Sequence, residues 1–203
     1  MVEGIHWLGH ASFRLEDGGI VYIDPYRIRG GVDADVVLVS HSHYDHCSKT
    51  AIESIAKADT VIVTCEECAK KLRGNVRVIR AGQSIKVREI PVEGVPAYNI
   101  NKPFHPRSEG GLGFIVTLGH RRVYFAGDTD LIPEMATVKA DIALLPVSGT
   151  YVMTAEEAAK ATVLIKPSLA IPMHYGTIVG SKGDAARFKE LSTVPVEILE
   201  RGE

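Results

Sequence analysis

Cysteine is scarce in this chain: only Cys47, Cys65 and Cys68 occur among 203 residues. So small and odd a number excludes a disulfide framework and fits a reducing compartment. Amides are scarcer still, with Gln83 the one glutamine and Asn75, Asn99 and Asn101 the only asparagines. Such thinning is one tendency of heat-adapted proteins. No apolar run approaches the roughly 20 residues that cross a bilayer, so no membrane partner is expected. The start, Met1-Val2-Glu3-Gly4-Ile5-His6, lacks the basic and apolar regions of a signal peptide, and the chain reads as cytoplasmic. Positive charge is not in excess either. Lys and Arg total 23 against 25 Asp and Glu, a net charge of -2, which leaves no general field for gripping nucleic acid.

What is present is ordinary globular material, 45% hydrophobic and 24% charged. The length fits a single domain over residues 1–203, able to bury a core without covalent staples. Short apolar segments bounded by turn residues predict strands at 5–8, 12–15, 20–23 and 36–39, the second and third joined by Asp17-Gly18-Gly19 as a hairpin. Helical spacing follows at 50–58 and 66–72. Further strands are expected at 61–63, 76–79, 85–91, 113–118, 123–126, 142–145, 169–172 and 196–199. Helices are expected at 154–165, with Thr154 and Glu157 as a capping box and Pro167 as terminator, and at 184–191. Hairpins first and alternation afterwards, loosely repeated, suggest two βα halves with sheets face to face and helices outside.

The strand at 36–39 runs straight into Ser40-His41-Ser42-His43-Tyr44-Asp45-His46. Three imidazoles and a carboxylate within six residues are the donors that divalent metals prefer. In extended chain, residues two apart share a face, so His41 and His43 can hold one ion together. Asp45 and His46 follow as the chain turns and can reach a second ion, with metal pairs in hydrolases sitting ~3.5–4 Å apart.

This run resembles the His-x-His-x-Asp-His signature of the metallo-β-lactamase superfamily. Trp7-Leu8-Gly9-His10-Ala11-Ser12, Ile23-Asp24-Pro25, Phe125-Ala126-Gly127-Asp128-Thr129 and 171–177 (Ile-Pro-Met-His-Tyr-Gly-Thr) are similar to motifs of one branch of it. That branch includes ascorbate-6-phosphate lactonases and N-acylphosphatidylethanolamine phospholipase D. The resemblance covers nearly the whole chain. It implies an α/β (α+β) fold of the four-layer αβ/βα sandwich type, with metals at one edge. It further implies that His41, His43 and a histidine from mid-chain hold the first ion, that Asp45, His46 and His174 hold the second, and that Asp128 bridges them. Alone, Asp128 also reads as a turn residue or helix N-cap, and His174 as a core histidine.

For the mid-chain ligand His105 is preferred, although in some relatives that slot follows a strand ending like Val95-Pro96-Ala97-Tyr98, where this chain has Asn99. Imidazole binds such ions better than a neutral amide. Asp24, at a strand end, is expected to accept the free ring N–H of a ligand histidine, or else to be a turn residue. His10 reads as a substrate contact or proton donor, or as a structural turn histidine. Lys102 and Arg107 flank His105 and are expected to bind an anionic substrate, or else to be solvated loop charges.

These readings converge on a metal-dependent hydrolase with two divalent ions, zinc first and manganese second by donor chemistry. Ions so held acidify a water, with Asp45 and Asp128 orienting the nucleophile. The substrate is expected to be a small anionic ester, a phosphodiester or a phosphorylated lactone. The alternatives are a nucleic-acid-processing nuclease of the same superfamily, and a non-enzymatic redox or metal-binding protein built on Cys65 and Cys68. The sequence leaves the oligomeric state open.

Overall fold

The computed structural model describes residues 2–202. The first sheet is built in chain order from β1 (Ile5–Gly9), β2 (Ser12–Glu16), β3 (Ile20–Ile23), β4 (Ala34–Val39), β5 (Ala56–Thr64) and β6 (Asn75–Val78). Its first three strands pair antiparallel and its last three join in parallel. The second sheet repeats the plan with β7 (Ser84–Val87), β8 (Ile90–Pro96), β9 (Leu112–Leu118), β10 (Arg121–Phe125), β11 (Ile142–Pro146) and β12 (Leu169–Met173). Here the antiparallel run extends through β10 before β11 and β12 continue in parallel.

The two sheets meet face to face, with Phe13 of one against Phe125 of the other at 6.3 Å between ring centres. Val36, Val37, Leu38 and Val39 of β4 are all fully buried, because a parallel strand inside a sheet has cover on both faces. Each such side chain contributes about 1.5–3 kcal/mol of transfer free energy. Helix α1 (Lys49–Ile55) and the short α2 (Glu66–Ala69) connect strands of the first sheet. Helices α3 (Ala155–Ile165) and α4 (Lys182–Leu191) pack on each other and on β11 and β12. The arrangement is the mixed α/β sandwich that the sequence pattern and the resemblance imply.

Capping chemistry sets the helix ends. Thr154 and Glu157 form the expected capping box on α3, whose last turn closes with Lys166 at φ 56 before Pro167. The proline disfavours right-handed helical geometry for Lys166, so the helix cannot continue. Four expectations are corrected. The strand foreseen at 85–91 is a hairpin, β7 and β8, turning at Arg88 and Glu89 with φ 46 and 66. Neither residue is the Gly, Asn or Asp that announces such a turn. The helix foreseen at 50–58 stops at Ile55, because Ala56 already pairs with Ala34. The strand foreseen at 196–199 makes a single bridge, Val196 to Ala170, after which the tail crosses to Trp7 through Arg201. The helix foreseen at 66–72 is one turn long, as Gly74 follows with φ 101. No helix among the described residues is long and apolar enough to cross a membrane.

Candidate metal centre

All the candidate side chains leave from strand ends or loops on one edge of the sandwich. His41, His43, Asp45 and His46 follow β4, Asp24 follows β3, and His10 lies in the β1–β2 turn. His105 comes from the loop between β8 and β9, Asp128 follows β10, and His174 follows β12. Gly127 sends Asp128 inward. It sits at φ 69, and a Cβ there would meet the Leu112 carbonyl oxygen at 2.7 Å. His10, Asp24, His105 and His174 themselves hold left-handed backbone, φ 54, 45, 57 and 60. Such geometry costs on the order of 1–3 kcal/mol per residue, and four of the eight non-glycine cases in the described chain fall here.

The side chains form three groups of metal-binding geometry, one of which is Asp24 with His41 and His46; the other two meet at one carboxylate. In the first of these two, His43 Nδ1 lies 3.1 Å from His41 Nε2 and 3.0 Å from His105 Nε2. The second gathers His10, Asp45, His46 and His174. Asp128 Oδ2 stands between them, 3.1 Å from His174 Nε2, 3.4 Å from His105 Nε2, 3.5 Å from His46 Nε2 and 4.0 Å from His41 Nε2. Its other oxygen, Oδ1, is buried without a hydrogen-bond partner, and so, apart from that long contact to Oδ2, is His46 Nε2. Buried polar atoms of this kind are normally satisfied. Unpartnered donor atoms aimed at a common centre fit a divalent cation well.

A third layer of contacts fixes which ring nitrogen faces inward. Asp24 Oδ2 accepts from His46 Nδ1 at 2.7 Å and from Ser40 Oγ at 2.5 Å, and Asp24 Oδ1 accepts from the Ser40 backbone N–H at 2.7 Å. With Ser40 Oγ also 2.9 Å from His41 Nδ1, one carboxylate orients a histidine of each cluster. Ser148 Oγ does the same for His174, 3.1 Å from Nδ1. Asn99, the rival for the mid-chain slot, stands behind His105. Its amide donates to the Tyr151 and Phe104 carbonyls, and its backbone N–H to the His105 carbonyl. Sequence reasoning missed Ser40, which its place between strand and motif could have flagged. It also missed Ser148, for which no local signal exists.

Electrostatics prepare the site for a cation. Burial holds the His41, His10 and His105 imidazoles below the usual histidine range and keeps them neutral, which leaves His41 and His105 ready as ligands. Burial pushes the Asp128 carboxyl up, but His174 and His46 outweigh it and keep the group ionised well below the usual range. Burial likewise acts against Asp45, whose hydrogen bond from His10 and charge contact with His46 bring it to about 2. For His46, burial opposes the charge while Asp128 and Asp24 win and draw positive charge in. Asp24 itself is pushed up by burial, more than His46 and Ser40 lower it.

Above the clusters opens a cleft of about 260 Å³, walled by His43, Asp45, Asp128 and His174 below and by Tyr44, Phe104, Tyr151 and Ile178 around the mouth. Lys102 and Arg107 do not line it. Lys102 is ion-paired with Asp130, while Arg107 pairs with Glu134 at 3.0 Å and lies over the Tyr98 ring. The expectation that these two side chains place positive charge beside the metals is therefore corrected: neighbouring carboxylates have taken both.

Cys65 and Cys68 sit apart from these clusters, and Cys47 directly follows His46. All three are free and buried, and Cys65 Sγ lies 3.5 Å from Cys68 Sγ. None joins a cluster of metal-binding geometry among the described residues. The double variant Cys65→Ser/Cys68→Ser is expected to retain parental metal content and turnover. Lost turnover with metal content intact, read by elemental analysis beside a rate assay, would assign the thiols a part in the chemistry.

Comparison with known proteins agrees with this geometry. A family model described as a beta-lactamase superfamily domain matches residues 4–174. A metal-dependent hydrolase of Methanopyrus kandleri is 37% identical, the alignment covering 98% of this chain and 97% of the relative. A crystal structure from Parabacteroides distasonis, described as that of a metal-dependent hydrolase, superposes with a TM-score of 0.87 at 34% identity, covering 98% of this chain and 93% of the other. Another, from Thermotoga maritima and described as that of a Zn-dependent hydrolase of the metallo-beta-lactamase superfamily, gives 0.68 at 26% identity over 96% of each chain.

Proposed function

Because the chain belongs to the metallo-β-lactamase superfamily and is a metal-dependent hydrolase, we propose that it cleaves a small anionic ester, a phosphodiester or a phosphorylated lactone, at a binuclear centre. The observation that carries this is the meeting of two ligand clusters at Asp128, whose Oδ1 is buried without a partner. His41, His43 and His105 would hold one ion, Asp45, His46 and His174 the other, and Asp128 would serve both. Zinc suits this His-rich set best, manganese next. Divalent ions held there would supply Lewis acidity, lowering the pKa of water towards ~7 and neutralising negative charge that develops on the substrate.

The protein's own groups supply orientation. His10 Nε2, 3.0 Å from Asp45 Oδ2, holds that carboxylate in line and ionised. Trp7 Nε1 donates to the His10 carbonyl at 2.9 Å and fixes the turn that presents the imidazole. Asp24 and Ser40 direct His46 and His41, and Ser148 directs His174. The motifs at 7–12 and 171–177 favour the branch with the sugar-phosphate lactonase and the phospholipase D.

The test joins metal content to specificity. The purified protein is expected to carry about two divalent ions per chain, as elemental analysis would read, and chelation should abolish turnover reversibly. Metal-loaded protein would be assayed against model phosphodiesters, phosphorylated lactones, neutral lactones and β-lactams. Faster turnover of the neutral lactones or β-lactams would overturn the anionic substrate and leave the hydrolase standing.

A further inference from the structure

A second cavity, of about 850 Å³, opens beside the metal cleft. Its wall carries Tyr26, Arg27 and Arg29 from the segment after Asp24, Ser48 and Thr50 at the start of α1, and Arg201 from the C-terminal tail. Seven of the chain's twelve arginines are ion-paired with carboxylates. Among the described residues, three of the remaining five face this one hollow. These three exposed guanidiniums, with no carboxylate partner among the described residues, give the hollow a positive lining.

The arrangement is held in place by its surroundings. Arg27 Cζ rests 5.2 Å above the centre of the Tyr26 ring. Arg201 crosses the backbone at Gly9, where a Cβ would come within 3.1 Å of its Nε; Gly9, at φ 104, leaves that path open. Gly9 directly precedes His10, so Arg201 reaches the border of the metal site. The Tyr26 ring centre is 6.1 Å from that of His10 and 6.0 Å from that of Tyr44, and Tyr44 lines the metal cleft. One aromatic wall thus divides the cavity from the cleft.

We propose that this cavity binds the phosphate-class group that the substrate carries away from its scissile bond. The proposal rests on the hydrolase reading above and supplies the positive charge that Lys102 and Arg107 do not. Guanidinium forks match phosphate oxygens in pairs, and the hydroxyls of Ser48 and Thr50 add neutral donors on the same wall. The tyrosine wall sets the distance between the anionic group and the bond to be broken.

The experiment has two arms on the metal-loaded protein. Crystals soaked in inorganic phosphate or tungstate are expected to show the anion between Arg27, Arg29 and Arg201, and calorimetric phosphate affinity should fall about tenfold or more in Arg27→Ala/Arg29→Ala and in Arg201→Ala, the scale of lost charge-assisted bonds. Arg77→Ala, an exposed arginine on β6, controls for net charge and should leave that affinity at the parental level. In the kinetic arm, the preference in KM for a phosphorylated lactone over its neutral counterpart should collapse by a similar factor in the cavity variants. Anion density at the metals alone, or unchanged affinity in both variants, overturns the site. Lost phosphate affinity with the KM preference intact overturns the substrate assignment and marks the cavity as taking a free anion. Because the first arm needs no turnover, its outcome stands even if neither lactone is hydrolysed, which would count against the substrate class and not against the cavity.

Discussion

Replacing Asp128 by Ala is expected to reduce turnover by at least ~10³-fold, since a metal-centred charge term is worth several kcal/mol and each ~1.4 kcal/mol is a factor of ten. Oδ2 of this carboxylate lies within 4.0 Å of ring nitrogens from His41, His46, His105 and His174. Its loss removes the negative charge that both clusters share. Bound metal should fall below the parental stoichiometry, and a large excess of zinc should not restore the rate, because among the described residues no other carboxylate lies within 4.0 Å of both His105 and His174. Asp128→Asn keeps the shape and one acceptor oxygen and should lose nearly as much. A variant that keeps both ions and a rate within tenfold of the parent would remove Asp128 from the centre.

The second large effect belongs to Asp24, which meets no substrate. Asp24→Asn is expected to weaken metal affinity about 10–100-fold, the usual cost of removing the partner that orients a ligand histidine. The variant loses the anionic acceptor for His46 Nδ1 and Ser40 Oγ, and through Ser40 it loosens His41 as well. Asn tolerates the left-handed backbone at this position, so the change tests the charge and not the turn. Here, unlike at Asp128, excess metal should recover most of kcat, because every ligand atom remains. A titration of rate against free zinc separates the two cases. If Asp24→Asn binds metal as the parent does, the carboxylate serves the fold alone.

Much of this site is legible in the sequence for a physical reason. Ligands crowded behind one buried strand, as in His41 to His46, leave a local signature, and so does a capping box such as Thr154 and Glu157. The β4 run of four apolar residues announces its own burial. What stays hidden is decided by distance in the fold. Whether His105 or Asn99 reaches the metals depends on a loop that puts the imidazole in front and the amide behind. Lys102 and Arg107 look like anion binders until Asp130 and Glu134 arrive from after β10. The turn at Arg88 and Glu89 lacks turn residues because the pairing of Val87 with Ile90 imposes it. Arg201 is as far along the chain from Gly9 as residues can nearly be, yet lies against it.

The sharing of ligands between the sheets has a consequence for how stable the folded chain is. The first sheet contributes His41, His43, Asp45 and His46, and the second contributes His105, Asp128 and His174. In the assignment proposed above each ion would take ligands from both sheets, so ions held that way would tie the sheets together. Pulling the sheets apart would require shedding them, and the binding free energy of each adds to the work of separation as RT ln(1 + [M]/Kd). Metal supply would then set the equilibrium stability of the fold as well as its chemistry, and a chain starved of metal would lose the clasp between its halves at the edge where its catalytic groups stand.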